Sequence, residues 1–259
     1  MTLNYKGIHI HFKDEGTGSA VVLLHGFLED MNMWDDLANE LSTNHRIIRI
    51  DLLGHGKTGC IGYIHTMEAM AEAVYAVLDH LVIKKASFIG HSMGGYVALA
   101  LANKTPQLFK GLCLMNSTFQ SDDDERKAIR TRANKMVQTN FDNMVRMSFA
   151  NLFAPKSRTL FKDEFEHALQ LALQTPVQGY IAAQEGMKVR DDHFKVFKEL
   201  EARKLIIIGQ KDPVVDRNAI VSKIKNTDID YVEFSEGHMS HIENKSELSY
   251  NIKRFIENL

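Results

Sequence analysis

The chain has 259 residues, 44% hydrophobic and 25% charged, which excludes a disordered polyelectrolyte and gives length enough to bury a core in one or two domains. Lys and Arg number 31 against 33 Asp and Glu, a formal net charge of −2, so no basic surplus points to nucleic acid or an anionic membrane surface. Two cysteines, Cys60 and Cys113, give no disulfide framework, no apolar run nears the ~18 residues of a membrane span, and the opening Met-Thr-Leu-Asn-Tyr-Lys-Gly lacks a signal-peptide core. A soluble, cytoplasmic protein without nucleic-acid or membrane partners is expected.

Residues 8–12 alternate apolar and polar side chains, as a half-buried strand does. After the turn at Gly16-Thr17-Gly18, residues 20–24 form a short apolar run, the mark of a strand buried on both faces. Residues 45–52 contain a second such run, 86–89 a third and 112–115 a fourth. Helix-length amphipathic segments at 33–41, 67–81 and 93–103 lie between them, and this alternation predicts a parallel sheet covered on both sides. The rhythm stops near Phe119. From there to about Leu200 the chain reads as helices, with Ser121 as a candidate N-cap before a solvated acidic run, Asp122 to Glu125. It resumes with a strand at 205–208, a helix at 217–225, a strand at 231–234 and a closing helix at 247–257. The expected organisation is an α/β core over 1–118 and 200–259, interrupted at 119–199 by a helical lid above the C-terminal edge of the sheet.

The most informative stretch is Gly90-His91-Ser92-Met93-Gly94-Gly95. A buried strand runs into it and a helix, beginning Val97-Ala98-Leu99, runs out. So abrupt a turn strains the central residue and needs small residues on either side, hence Gly90 and Gly94. It lifts the Ser92 hydroxyl above the sheet edge and aims the Met93 amide, at a helix N-terminus, toward a developing oxyanion. A serine nucleophile needs a base, and that base an orienting acid. His238, in Glu236-Gly237-His238 after the strand at 231–234, is the candidate base, with His241 its rival. Asp212, in Gly209-Gln210-Lys211-Asp212-Pro213, is the candidate acid, with Asp216 its rival. A third place for the acid, the end of the strand at 112–115, holds Asn116, which cannot carry the charge. The second oxyanion donor is expected from His25-Gly26-Phe27, as the Phe27 amide, with His25 bracing the turn. His91 is expected to pack beneath the site and His55 to be a turn residue. His9, His11, His45, His65, His80, His167 and His193 read as surface or helix-face residues.

These motifs resemble the α/β-hydrolase superfamily over nearly the whole chain. The resemblance rests on His25-Gly26-Phe27 with Trp34 downstream, Asp51-Leu52-Leu53-Gly54-His55-Gly56, the Ser92 turn, the Asp212 loop, and Gly237-His238 followed by Glu243-Asn244. It implies a mostly parallel eight-stranded sheet flanked by helices with an inserted helical lid, no cofactor, no metal, and acyl transfer to water through Ser92. Small cytosolic bacterial esterases with a lid after the sixth strand look most similar. Ser92 speaks against the dehalogenases and epoxide hydrolases of this fold, which use an Asp nucleophile. Phe27-Leu28-Glu29-Asp30 speaks against the carbon–carbon bond hydrolases, which carry Gly-Pro-Gly there. The menaquinone-pathway lyase that makes succinyl-hydroxycyclohexadiene carboxylate has a similar start but an Arg where this chain has Tyr96. The expected activity is hydrolysis of a small carboxylic ester by Ser92, Asp212 and His238. That lyase and a non-catalytic small-ligand receptor are the alternatives. In the lid, Phe141, Met144, Met147, Phe149, Phe153, Phe161 and Phe165 read as core with some members facing a pocket, and Arg126, Arg130 and Arg132 as a solvated face.

Overall fold

The apolar runs form the centre of one eight-stranded sheet in the computed structural model, which describes residues 1–258. Its strands are β1 (Thr2–Tyr5), β2 (Ile8–Glu15), β3 (Ser19–Leu24), β4 (His45–Ile50), β5 (Ala86–His91), β6 (Phe109–Met115), β7 (Arg203–Gly209) and β8 (Asp230–Phe234), in the order β1-β2-β4-β3-β5-β6-β7-β8. β1 and β2 pair antiparallel, β2 joins β4 antiparallel, and every pairing from β4 to β8 is parallel. Helices α1 (Asp35–Leu41), α2 (Met67–His80) and α3 (Met93–Lys104) precede β6. Between β6 and β7 come α4 (Asp124–Ala150), α5 (Ser157–Leu160), α6 (Lys162–Ala172), α7 (Val177–Lys188) and α8 (Phe194–Glu199). α9 (Arg217–Ile224), α10 (Ser240–Glu243) and α11 (Lys245–Glu257) follow.

Side chains of successive strand residues point to opposite faces, and the two faces find different partners. Ala20, Val22 and Leu24 of β3 pack with α2 and α3, whereas Val21 and Leu23 pack with Trp34, α1 and α11. Burial on both faces is why these strands read as unbroken apolar runs. β1 shows no such run: it is an edge strand whose residues are exposed or half-buried, and only its pairing with β2 defines it.

The segment between β6 and β7 is helical, as expected, but its parts pack differently. Val137, Met144, Val145 and Phe149 of α4 and Leu169 and Ala172 of α6 share an apolar cluster with Leu28 and Met239 of the core loops. Ala183 and Met187 of α7 and Phe197 of α8 instead belong to the cluster beneath the sheet. α4 is kinked at Asn140, which departs from helical angles (φ −147°, ψ 54°).

Two details of the insert correct the sequence reading. Asp123, not Ser121, caps α4, accepting the Arg126 amide at 2.7 Å. Asp122 is not solvated: it is buried and holds Arg130 and Arg190, the latter at 2.7 Å. Arg130 therefore does not share the solvated face expected of it together with Arg126 and Arg132. His65 and His193 are likewise buried rather than on the surface. His65 accepts the Ile61 amide at 3.0 Å, and its own amide donates to Ala182 of α7.

α7 meets the loop before α2 backbone to backbone. A Cβ on Gly186 would lie 1.7 Å from the His65 carbonyl oxygen. Alanine would gain ~1 kcal/mol in helix propensity, but neither backbone can yield without unseating α7. Gly186→Ala should therefore lower unfolding free energy by about 2 kcal/mol or more, measured by urea denaturation.

Candidate active site

Ser92 ends the β5 turn and precedes α3 with φ +48° and ψ −114°, a left-handed backbone that an L-residue adopts only under constraint. The constraint is the close approach of three elements. A Cβ on Gly90 would come within 2.5 Å of the Gly94 carbonyl, and one on Gly94 within 2.3 Å of the Leu24 carbonyl oxygen at the end of β3. The Ser92 amide donates to the Met115 carbonyl at 2.9 Å, and the Ser117 hydroxyl donates to the Ser92 carbonyl at 2.7 Å.

Asp212 follows β7 and His238 follows β8. His238 Nδ1 and Asp212 Oδ2 are 2.8 Å apart, both side chains almost fully buried. Asp212 Oδ1 accepts the amides of Val214 (2.8 Å) and Val215 (3.0 Å), and Oδ2 also accepts Asn116 Nδ2 (3.1 Å). A carboxylate so filled can only accept, so Nδ1 of His238 carries the proton and Nε2 is left with its lone pair. Burial alone would push the Asp212 carboxyl up. The charge and hydrogen bond of His238, with the two amides, outweigh it and hold the group below the usual carboxylate range. The structure joins Asp212 to His238, while the Ser92 hydroxyl makes no hydrogen bond to the imidazole among the described residues. Its neighbour His91 packs 5.0 Å, ring to ring, from His238.

The rivals face other groups. Asp216 caps α9 through the Ala219 amide at 3.0 Å. His241 faces Glu29 across 3.7 Å. Gly26 lies against the serine, since a Cβ there would be 3.2 Å from that of Ser92, and Phe27 comes next in the chain. His25 braces this turn by accepting the Leu52 amide at 2.9 Å. His55 is buried in its turn beside the rings of His25 and Phe27.

Two further residues take part in the site without a motif to mark them. Asn116 Nδ2 bridges Asp212 and the Gly237 carbonyl, each at 3.1 Å, and so ties the acid loop to the histidine loop. Glu29 Oε2 accepts the Gly26 amide at 2.6 Å and lies 2.7 Å from His91 Nδ1, while His91 Nε2 meets the His238 carbonyl at 3.0 Å. A histidine in the elbow, with neither ring nitrogen free for solvent, is the one signal that a buried acceptor must exist. Ligating atoms of Glu29, His91 and His241 also lie within 4.8 Å of one another. Both His91 nitrogens are engaged, however, which leaves two ligands, fewer than the three of a catalytic zinc site.

A model of the family described as alpha/beta hydrolase fold matches residues 19–245. The chain belongs to the α/β-hydrolase fold family. It is 26% identical to 3-oxoadipate enol-lactonase 1 of Acinetobacter baylyi over 98% of its own length and 94% of that protein. It is 41% identical over 100 residues to the dihydrolipoyllysine-residue acetyltransferase component of an acetoin cleaving system of Pseudomonas putida, a match spanning 39% of this chain but only 27% of that protein. Among solved structures, a thermophilic esterase from Thermogutta terrifontis superposes with a TM-score of 0.90 at 29% identity, covering 99% of this chain and 96% of the other. The enol-lactonase of Burkholderia xenovorans LB400, at 20% identity and a TM-score of 0.92 over 99% and 100% of the two chains, shares the fold.

Both His91 nitrogens face acceptors, the Glu29 carboxylate and the His238 carbonyl, an arrangement that favours a doubly protonated ring beside a charged Glu29. Burial opposes charge on Glu29, but the charge and hydrogen bond of His91 above all hold its carboxyl down at about 2. Burial likewise opposes charge on His91, and Glu29 above all raises its pKa. A depressed carboxyl contributes stability that is fully present above its ordinary value, near 4.5, and is lost as the pH falls toward 2. Glu29→Gln should therefore be less stable than the parent at pH 6, and the gap should narrow as the pH falls below 4.5, followed by urea denaturation at each pH.

Proposed function

We propose that this α/β hydrolase cleaves small carboxylic esters through an acyl-enzyme on Ser92. His238 is the general base and then the acid, Asp212 orients it, and the Phe27 and Met93 amides form the oxyanion hole. The observation that carries the reading is the 2.8 Å bond between His238 and a filled Asp212 carboxylate, set against a serine with φ +48°.

The steps follow from these positions. His238 Nε2 takes the Ser92 hydroxyl proton as the oxygen attacks the ester carbonyl. Negative charge moves to the carbonyl oxygen, where two amides are available: neither Phe27 nor Met93 donates to a protein acceptor among the described residues. The intermediate collapses, the alkoxide takes the proton from His238 and the alcohol leaves. Water, losing a proton to His238, then attacks the acyl carbon, and as the second intermediate collapses Ser92 Oγ takes that proton back from His238 and the acid leaves. The reading calls for no cofactor. A lactone is an internal ester and fits the same steps, which is the chemistry named for the Acinetobacter relative.

We read 119–199 as a lid that supplies the acyl wall. The Tyr180 ring of α7 lies 4.8 Å from that of Phe27, and Phe141 of α4 lies 5.9 Å from Tyr180, so insert side chains stand above the oxyanion loop. His238 itself donates its amide to Leu152 of the insert at 2.9 Å.

Ser92→Ala should lower ester turnover about 10³- to 10⁶-fold with the fold intact, measured on p-nitrophenyl esters with circular dichroism as the control. His238→Ala should be nearly as severe and His241→Ala much milder; the reverse order would transfer the base to His241. If the lid is the wall, Phe141→Ala should reduce kcat/KM more for octanoyl than for acetyl esters. Each substrate methylene that the wall no longer covers is worth at most ~0.8 kcal/mol, and an unchanged chain-length profile would place specificity in the core.

A further inference from the structure

A cavity of about 510 Å³ lies among the loop after β3, α1, α6 and the corner between α10 and α11. None of Phe27, Ser92, Met93, Asp212 or His238 lines it. Its volume is that of a small-molecule site. Its chemistry is two-sided. Met33, Phe149, Phe161 and Leu171 give apolar walls, and seven carboxylate side chains line it; Glu29 is paired with His91, Asp35 with Arg49 and Asp36 with Lys245, the one lysine of the lining, which leaves Asp30, Glu164, Glu243 and Glu247 without a cationic partner among the described residues.

Two buried groups in the lining lack partners. The Glu29 side chain is 5% exposed and its Oε1 has no hydrogen bond; the His241 side chain is 10% exposed and its Nδ1 has none. Both atoms are acceptors. Burial pushes the His241 pKa down to about 4, so the ring is neutral at pH 7. With Nε2 turned to the Glu29 carboxylate across 3.7 Å, the proton belongs on Nε2 and the lone pair on Nδ1. Two buried acceptors in an acidic surround call for one cation with several donors. A metal ion is the poorer fit, because His91 is already engaged on both nitrogens and because apolar walls add nothing to a bare ion. An ammonium group has three donors and can carry a chain that uses the walls.

The geometry points to a second binding site, for an organic ammonium, with its head at Glu29 and His241 and its hydrocarbon chain between Met33, Phe149, Phe161 and Leu171. The inference does not depend on the reading of Ser92.

The probe is n-hexylammonium, titrated calorimetrically into the whole protein at pH 7, with 1-hexanol and hexanoate as neutral and anionic counterparts. The ammonium should bind about ten-fold more tightly than either. Three variants at the lining test the location. Glu164→Lys brings a cation to the cavity, Asp36→Asn leaves Lys245 there without its partner, and His241→Leu removes an acceptor. Each should weaken the ammonium about ten-fold and leave hexanol nearly unchanged. The first two alter exposed side chains and keep the test decisive if His241→Leu does not fold. Equal binding of hexanol and the ammonium would overturn the proposal, as would ammonium binding indifferent to Glu164→Lys and Asp36→Asn. Absence of saturable ammonium binding below about 50 mM would overturn it as well.

Discussion

A serine held at φ +48° costs on the order of 1–3 kcal/mol and persists only where its surroundings over-determine it. Here the surroundings are almost entirely backbone. β5 stops where α3 begins, and the first turn of α3 lies against the end of β3, so neither Gly90 nor Gly94 has room for a methyl group. The Met115 carbonyl and the Ser117 hydroxyl grip the serine's own amide and carbonyl. The same abrupt exit leaves the Met93 amide at a helix N-terminus, with no acceptor among the described residues. The strain at Ser92 and the available Met93 donor are thus one geometric fact seen two ways.

That elbow is then joined to its neighbours by charges that water cannot reach. Glu29 accepts the Gly26 amide and pairs with His91, and His91 reaches the His238 carbonyl. One buried ion pair therefore spans the loop after β3, the elbow, and the loop after β8. Asn116 spans the loops after β6, β7 and β8 with a single amide group. A buried ion pair adds little net stability when compared with an apolar replacement. Its value here is geometric: each end is fixed by hydrogen bonds of defined direction, so the loops hold one relative position.

This division explains what can be read from the chain. Ser92, Asp212 and His238 each follow a strand of the parallel sheet, and strands buried on both faces announce themselves as apolar runs, so the end of a run marks the residue that meets the site. Asn116 does follow such a run, directly after β6, but its residue type hides its role, and Glu29 carries no mark at all. Glu29 sits in a loop beside Asp30, and nothing local separates the acid that is buried under His91 from the one that caps a turn in solvent. By residue type Asn116 stands out only as unable to replace Asp212, whereas its amide is what holds Asp212. β1 escapes a reading by pattern because an edge strand with one partner needs no apolar face. The capping of α4 is hidden for a related reason: in a run of four acids after Ser121, the choice between solvent, cap and ion pair is made by Arg130 and Arg190, eight and sixty-eight residues away.

The insert obeys a different logic from the sheet. α7 is set against the core by glycines that bring it into backbone contact, and α8 contributes Phe197 to the cluster beneath the sheet. α4 and α6 have no such seat. Along their lengths they meet the core through side chains, at Leu28 beside Phe27 and Met239 beside His238, while the turn between them is tied to the histidine loop by backbone, the Leu152 carbonyl accepting the His238 amide at 2.9 Å. Side-chain contacts of this kind tolerate substitution and repacking far better than backbone contacts do. The outer helices can therefore change the shape of the site's wall while the elbow, held by backbone, stays fixed. Residue types accordingly point to the candidate groups at the strand ends, whereas the shape of the wall above them is left to the packing of α4, α6 and Tyr180.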